Sequence, residues 1–181
     1  MVIVSPKQPE GIEAKTPPKA IADAFLSSDP FVQSASPRIQ EAAKLIIGDE
    51  TGTWNRAMRL YEWVYENIEK VPVLSVPSAL DVLDNKKGDC NEHTVLYTAL
   101  ARAAGIPTRI AIGIVWSEEY RAFYYHAWPE VYAGRWYWVD PTLGQPIADA
   151  THVKLLTGGI ENWWQLIPYL GRIQVTIDEL E

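Results

Sequence analysis

The side chains of this sequence that could carry covalent or acid–base chemistry are a single cysteine, Cys90, three histidines, and carboxylates placed near them. Cys90 follows Asp89, which pairs with Glu92 as a capping box. Apolar Leu96, Ala99, Leu100 and Ala103 then recur on one face up to Gly105 and Ile106-Pro107. This predicts a helix that begins at Cys90. Unpaired N–H groups and the positive end of the dipole at a helix start favour a thiolate, each interaction being worth roughly 0.3–1 kcal/mol. Asp89 and Glu92 act the other way, so a nucleophilic Cys90 needs a cation, and imidazolium is the usual one.

His126 lies in Tyr124-Tyr125-His126-Ala127-Trp128, where strand parity sets it on one face with Tyr124 and Trp128. Asp140 ends the next strand-like run, Trp138-Val139-Asp140-Pro141-Thr142. Whether the two meet depends on the turn between them. A two-residue turn at Ala133-Gly134 pairs Tyr132 with Arg135 and sends His126 and Asp140 to opposite faces. A three-residue loop, Tyr132-Ala133-Gly134 with Gly134 left-handed, pairs Val131 with Arg135 and sets His126 directly opposite Asp140. The second geometry lets the carboxylate hold one imidazole nitrogen and aim the other at Cys90, so it is the one expected. Pro129 is where a bulge would upset the count. His93, one turn beyond Cys90, is directed over the preceding turn and is expected to pack or hydrogen-bond, and His152 is expected on the surface at a strand start. Trp128 is the aromatic side chain expected at a substrate cleft or shielding the histidine, whereas Trp136 and Trp138 are expected in the core.

These residues need a scaffold, and the patterning supplies one. Six prolines fall within residues 1–37, where no sustained period is visible, so this stretch is read as a proline-rich extended arm or linker ahead of a domain spanning 38–181. Ser36-Pro37 starts a short amphipathic helix with Ile39, Ala42, Ala43 and Ile46 on one face and Gly48 at its end. A longer helix is predicted over Trp54 to Lys70, and Ser78-Ala79-Leu80-Asp81 reads as a capped helical turn. From Thr108 the period switches to two, with Ile110, Ile112, Ile114 and Trp116 sharing a face. Phe123 to Tyr132 and Arg135 to Val139 form a hairpin, and Val153 to Thr157 is a further strand. A helix-like Ile160 to Leu170, broken at Pro168, and alternating Ile173, Val175 and Ile177 close the chain. The fold class is therefore α+β.

Composition narrows the function. The chain has 181 residues, 48% of them hydrophobic, enough to bury a core. Its net charge of −7 repels a phosphate backbone, which makes nucleic acid a poor partner. No apolar run reaches the roughly 18 residues needed to cross a bilayer. The first residues lack the pattern of a secretory signal. One cysteine excludes an internal disulfide, and with three histidines it cannot build a thiolate zinc site, so no metal or cofactor is expected.

Four blocks, in order, carry a resemblance: Gly88-Asp89-Cys90-Asn91-Glu92-His93, Arg102-Ala103-Ala104-Gly105-Ile106-Pro107-Thr108-Arg109, His126-Ala127-Trp128-Pro129-Glu130-Val131 and Trp138-Val139-Asp140-Pro141-Thr142. Together they resemble the bacterial transglutaminase-like superfamily, a papain-related group, over a stretch from about Pro37 to the mid-140s. The resemblance implies a papain-like core, with a nucleophile-bearing helix packed on an antiparallel sheet that carries the histidine and the aspartate. It assigns Cys90 as nucleophile, His126 as general base and Asp140 as the group that orients it. Nothing here resembles the calcium sites of the animal transglutaminases. The expected activity is thus a cysteine hydrolase that cleaves peptide or isopeptide amides through a thioester. The alternatives are a glutamine-to-amine crosslinking transferase and a catalytically silent binding domain. A protein or peptide substrate, a larger multidomain parent chain and an extracytoplasmic setting are the accompanying expectations.

Overall fold

A computed structural model describes residues 16–73, 78–159, 162 and 165. The expected C-terminal helix, apart from residues 162 and 165, and the alternating strand after it lie outside the described residues. Helix α1 spans Lys19–Phe25, α2 Pro37–Ile47 and α3 Thr53–Asn67. A two-residue strand β1 (Glu69–Lys70), helix α4 (Ala79–Asn85) and a two-residue strand β2 (Lys87–Gly88) lead into α5 (Cys90–Ala103). Strands β3 (Thr108–Ser117), β4 (Ala122–Tyr132), β5 (Trp136–Trp138) and β6 (His152–Gly158) follow. They form one antiparallel sheet in the order β5-β4-β3-β6, while β1 and β2 pair in parallel. The α+β class and its layout, helices packed on an antiparallel sheet, stand as expected.

The local reasons are those in the sequence. Ser36 precedes Pro37 at the first position of α2, where a missing N–H costs nothing. Ser78 Oγ accepts from Asp81 N at the start of α4. The Asp89/Glu92 capping box opens α5, with Asp89 Oδ1 accepting from Asn91 N at 3.1 Å and Glu92 Oε2 accepting from Asp89 N at 3.0 Å. Helix α5 is buried almost along its whole length and packs against α2, α3, α4, β3 and β4. Its Leu96 and Leu100 join Leu60, Ile39, Ile110 and Ile112 in the core, each fully buried. Truncating such a side chain to alanine costs about 2–5 kcal/mol, so this layer holds the helix that carries Cys90 in place.

Part of the segment read as an extended arm is helical and docked. Pro18 sets up α1, and beyond it Phe25 packs edge-on against Trp136 with ring centres 5.1 Å apart. Arg102 of α5 donates to Ser27 O at 2.8 Å and Asp29 Oδ2 at 3.2 Å, and Val32 is buried. Proline density hid this short helix, because seven residues are too few to show a period.

The hairpin departs from expectation in register and agrees in parity. Tyr132 pairs with Trp136, Val131 with Tyr137 and Glu130 with Trp138, so the loop is Ala133-Gly134-Arg135 rather than Tyr132-Ala133-Gly134. Gly134 has the left-handed φ of +82° expected of it, and Ala133 N donates to Arg135 O at 2.9 Å. The shift is two residues, which preserves the face of every side chain. Asp140 is therefore diagonal to His126 instead of directly opposite. Pro129 introduces no bulge: β3 and β4 pair continuously from Thr108↔Val131 to Ser117↔Ala122. Tyr132 N donates toward β3, to Pro107 O, so by alternation Pro129 points its missing N–H away from β3, and its carbonyl accepts from Val139 N on the other side.

Candidate active site

Helix α5 delivers Cys90 at its first residue, and β4 delivers His126. The alternation that turns Pro129 outward also turns the N–H and C=O of Ala127 away from β3, beyond the end of β5. The helix docks there. Thr94 Oγ1 donates to Ala127 O at 2.9 Å, and the Ala127 N–H is near enough to the Cys90 sulfur to favour its thiolate. The thiol thus lies against the residue next to His126.

His126 Nε2 meets Asp140 Oδ2 at 2.6 Å, with both groups buried. Because a carboxylate only accepts, Nε2 carries the proton and Nδ1 is left with its lone pair. Among the described residues nothing hydrogen-bonds to that buried Nδ1, and Cys90 and His126 are not bonded to each other in this state. The ring sits between half-exposed Tyr124, with centres 6.2 Å apart, and buried Trp128, which stacks on it at 5.9 Å. Trp128 is fully buried, which corrects the expectation of a cleft-lining residue: its position is behind the histidine, shielding it. Trp136 and Trp138, expected in the core, are half-buried.

Asp140 is held from several sides. Its Oδ1 accepts from Thr142 N at 2.8 Å and Leu143 N at 2.9 Å. Its Oδ2 accepts from His126 and also from His152 Nε2 at 3.0 Å. Burial alone would raise the carboxyl pKa, but the charge and hydrogen bonds of His126, the hydrogen bond of His152 and the Leu143 N–H outweigh it and hold Asp140 well below the usual carboxylate range. His152 was expected on the surface and is instead 1% exposed. The signal that could have revealed it is Gly113, which lies opposite His126 on β3. His126, Asp140 and His152 offer ligand atoms within 4.8 Å of one another, and among the described residues this group could give a metal ion two imidazoles and a carboxylate. In the structure hydrogen bonds join both histidines to Asp140.

Burial first, and the charge of Asp89 next, push the Cys90 thiol up to about 12, only partly offset by the Ala127 N–H. Burial thus favours the neutral thiol at Cys90. His93 takes the packing and hydrogen-bonding role expected: its Nδ1 lies 2.7 Å from Asp89 O, and burial pushes its pKa down.

A family model described as the transglutaminase-like superfamily matches residues 40–141, a span that includes Cys90, His126 and Asp140. An uncharacterised protein of Haemophilus influenzae is 29% identical over 129 residues, 63% of this chain and 35% of that protein. A structure of a provisionally assigned cysteine protease from Cytophaga hutchinsonii is similar with a TM-score of 0.66 and 28% identity, over 76% of this chain and 46% of that one. The periplasmic domain of TgpA from Pseudomonas aeruginosa shares the fold, with a TM-score of 0.55 and 19% identity over 71% of this chain and 49% of that one. The chain thus spans about a third of the curated relative and under half of either structure.

Proposed function

Since the chain belongs to the transglutaminase-like superfamily, we propose that it is a cysteine hydrolase acting on peptide or isopeptide amide bonds, with Cys90 as nucleophile, His126 as general base and Asp140 orienting His126. The unit carrying the activity is the domain over residues 38–181 together with the docked α1 segment ahead of it, working on a protein or peptide substrate in an extracytoplasmic setting, as part of a longer protein. The observation that supports this most is the buried His126 Nδ1, unpaired among the described residues, on a ring whose other nitrogen is fixed by Asp140 at 2.6 Å. A buried basic nitrogen without a partner calls for an explanation, and a base that awaits a proton is one.

The route follows from the protonation states. Cys90 gives its proton to His126 Nδ1 as the sulfur attacks the amide carbonyl, and the imidazolium so formed is stabilised by Asp140. His126 returns the proton to the leaving amine, which departs and leaves a thioester on Cys90. Water, deprotonated by the same Nδ1, then releases the acid and regenerates the thiol. The N–H of Cys90, at the start of α5, is available to the developing oxyanion.

The test is alkylation of Cys90 by iodoacetamide across pH, in the parent and in His126→Ala, followed by peptide-library cleavage. Because His126 Nδ1 takes the proton as the sulfur attacks, we expect the parent to react well below the free-thiol value of about 8.5 although its thiol is neutral at rest, and His126→Ala, which has no base, to react only at strongly alkaline pH. Cys90→Ala abolishes cleavage. A thiol that behaves identically in both proteins overturns the reading. Amine incorporation without cleavage makes the protein a transferase instead.

A further inference from the structure

Asp140 has one more donor than a cysteine–histidine–aspartate set requires. His152 Nε2 lies 3.0 Å from the same Oδ2 that His126 meets at 2.6 Å. The His152 ring is enclosed, edge-on to Trp128 with centres 4.9 Å apart and 5.5 Å from the His126 ring. Its Nδ1 lies 3.4 Å from Asp149 Oδ1. We propose that His152 is a positioning residue for the reaction, acting through Asp140 to fix the direction in which His126 Nδ1 points. This deepens the hydrolase reading and rests on it.

The argument is one of lone pairs. A carboxylate oxygen presents two in its plane. On Oδ1 both are taken, by Thr142 N and Leu143 N, which fixes the plane of the group. On Oδ2, His152 takes one, so a single direction is left for His126 Nε2. Without His152, His126 could donate along either lone pair, and its Nδ1 would swing with it. Both the neutral Nε2–H form and the imidazolium of His152 donate from Nε2, so the role does not depend on its charge.

The backbone is built to bring His152 there. Strand β6 pairs Leu156 with Ile112 but Lys154 with Gly113, leaving Leu155 as an extra residue. Ile112 and Leu156 face the helical core. The bulge inverts parity beyond it, so His152, which an unbroken strand would send to the core face, shares the face of His126. Gly113, opposite His126, is what admits this path: a Cβ there would lie 2.0 Å from Val153 O.

The test compares His152→Phe, which keeps the ring and removes the donor, with His152→Gln, whose side-chain N–H can reach Asp140. The readouts are kcat and KM on a library-derived peptide, Cys90 alkylation at about pH 6, and the low-field proton resonance of the His126–Asp140 hydrogen bond. We expect His152→Phe to lower kcat and alkylation by about 10–100-fold, the range seen when a group orienting a functional imidazole is lost, with KM nearly unchanged. His152→Gln restores most of the rate, and the resonance shifts in the Phe variant and returns in the Gln variant. Full activity in the Phe variant, or a Gln variant as slow as Phe, overturns the proposal, as does a resonance that His152→Phe leaves unmoved. If Phe prevents folding, His152→Leu takes its place. Alkylation of the parent that is unaffected by His126→Ala defeats the hydrolase reading itself, whereas the resonance still reports on His152.

Discussion

At the scale of single residues, magnitudes decide whether its helix could ionise Cys90. A helix N-terminus offers roughly 0.3–1 kcal/mol, less than one pKa unit at about 1.4 kcal/mol per unit. Burial and Asp89 together move the thiol up to about 12, a larger effect of opposite sign. The dipole therefore loses, and the proposed mechanism needs His126 to take the thiol proton. Asp140 is the residue whose chemistry is most narrowly specified. Replacing it with asparagine leaves one oxygen and one N–H₂ where Asp140 makes four acceptances. With the oxygen toward the histidines, the amide N–H₂ meets the N–H groups of Thr142 and Leu143 and strands them, at roughly 1–3 kcal/mol each. Turned round, the oxygen keeps those two N–H groups and the N–H₂ donates to His126 Nε2 and His152 Nε2, which obliges each neutral ring to carry its proton on Nδ1. The second arrangement strands no donor and is the cheaper, and it removes the lone pair that the proposed mechanism needs on His126 Nδ1. Asp140→Asn should therefore lose the low-pH alkylation of Cys90, whereas urea unfolding should show a loss of only about 1–2 kcal/mol, that of exchanging charge-assisted for neutral hydrogen bonds. A variant that alkylates like the parent would mean that Asp140 does not set the proton position on His126.

At the scale of elements, what was legible in the sequence was parity, and what was not was register. Hydrophobic spacing located α2, α3, α5, β3 and β4, and the Asp89/Glu92 pair located the start of α5 at Cys90. Turn chemistry identified Gly134 as left-handed but not which residues flank it in the loop. That ambiguity of two residues leaves His126 and Asp140 on one face, so the pair was readable even though their exact opposition was not. His152 was not readable, because a bulge at Leu155 reverses its face and no local pattern announces the bulge. The available clue was a glycine inside a run of branched residues, which marks a close backbone approach. Gly113→Ala should therefore displace β6, with a stability cost of about 1–3 kcal/mol from overpacking and a loss of His152 contact to Asp140. Gly134→Ala is the control, since its Cβ meets nothing within 4 Å and its cost of about 1 kcal/mol comes only from φ. The expected pattern is that both variants melt earlier but only Gly113→Ala shifts the His126–Asp140 proton resonance. Equal resonances in the two variants would detach Gly113 from the site.

At the scale of the whole molecule, the same burial that protects the site writes itself into the pH dependence of folding. Asp140 has its folded pKa below the unfolded one, so the stability it contributes is complete above about pH 4 and is lost as pH falls below that. Glu92 is the opposite case. Burial first, and its hydrogen bonding with Asp89 next, raise its carboxyl to about 7, above an unfolded value of about 4.3. Its contribution is fully present below pH 4.3 or so and drains away as pH rises to about 7. His93, whose folded pKa is lowered by burial, adds stability above its unfolded value of about 6.5 and loses it on acidification, which partly masks Glu92 in the parent. The difference between parent and Glu92→Gln isolates the carboxyl, because Gln keeps an oxygen to accept the Asp89 N–H of the capping box. Chemical denaturation of both proteins at stepped pH should show the parent losing stability relative to Glu92→Gln between about pH 4.3 and 7, and a constant difference above that range. A difference that is flat from pH 4 to 8 would place the Glu92 titration outside this window. The cap that starts α5 would then be indifferent to pH, and the helix start at Cys90 would be equally firm in acidic and neutral surroundings.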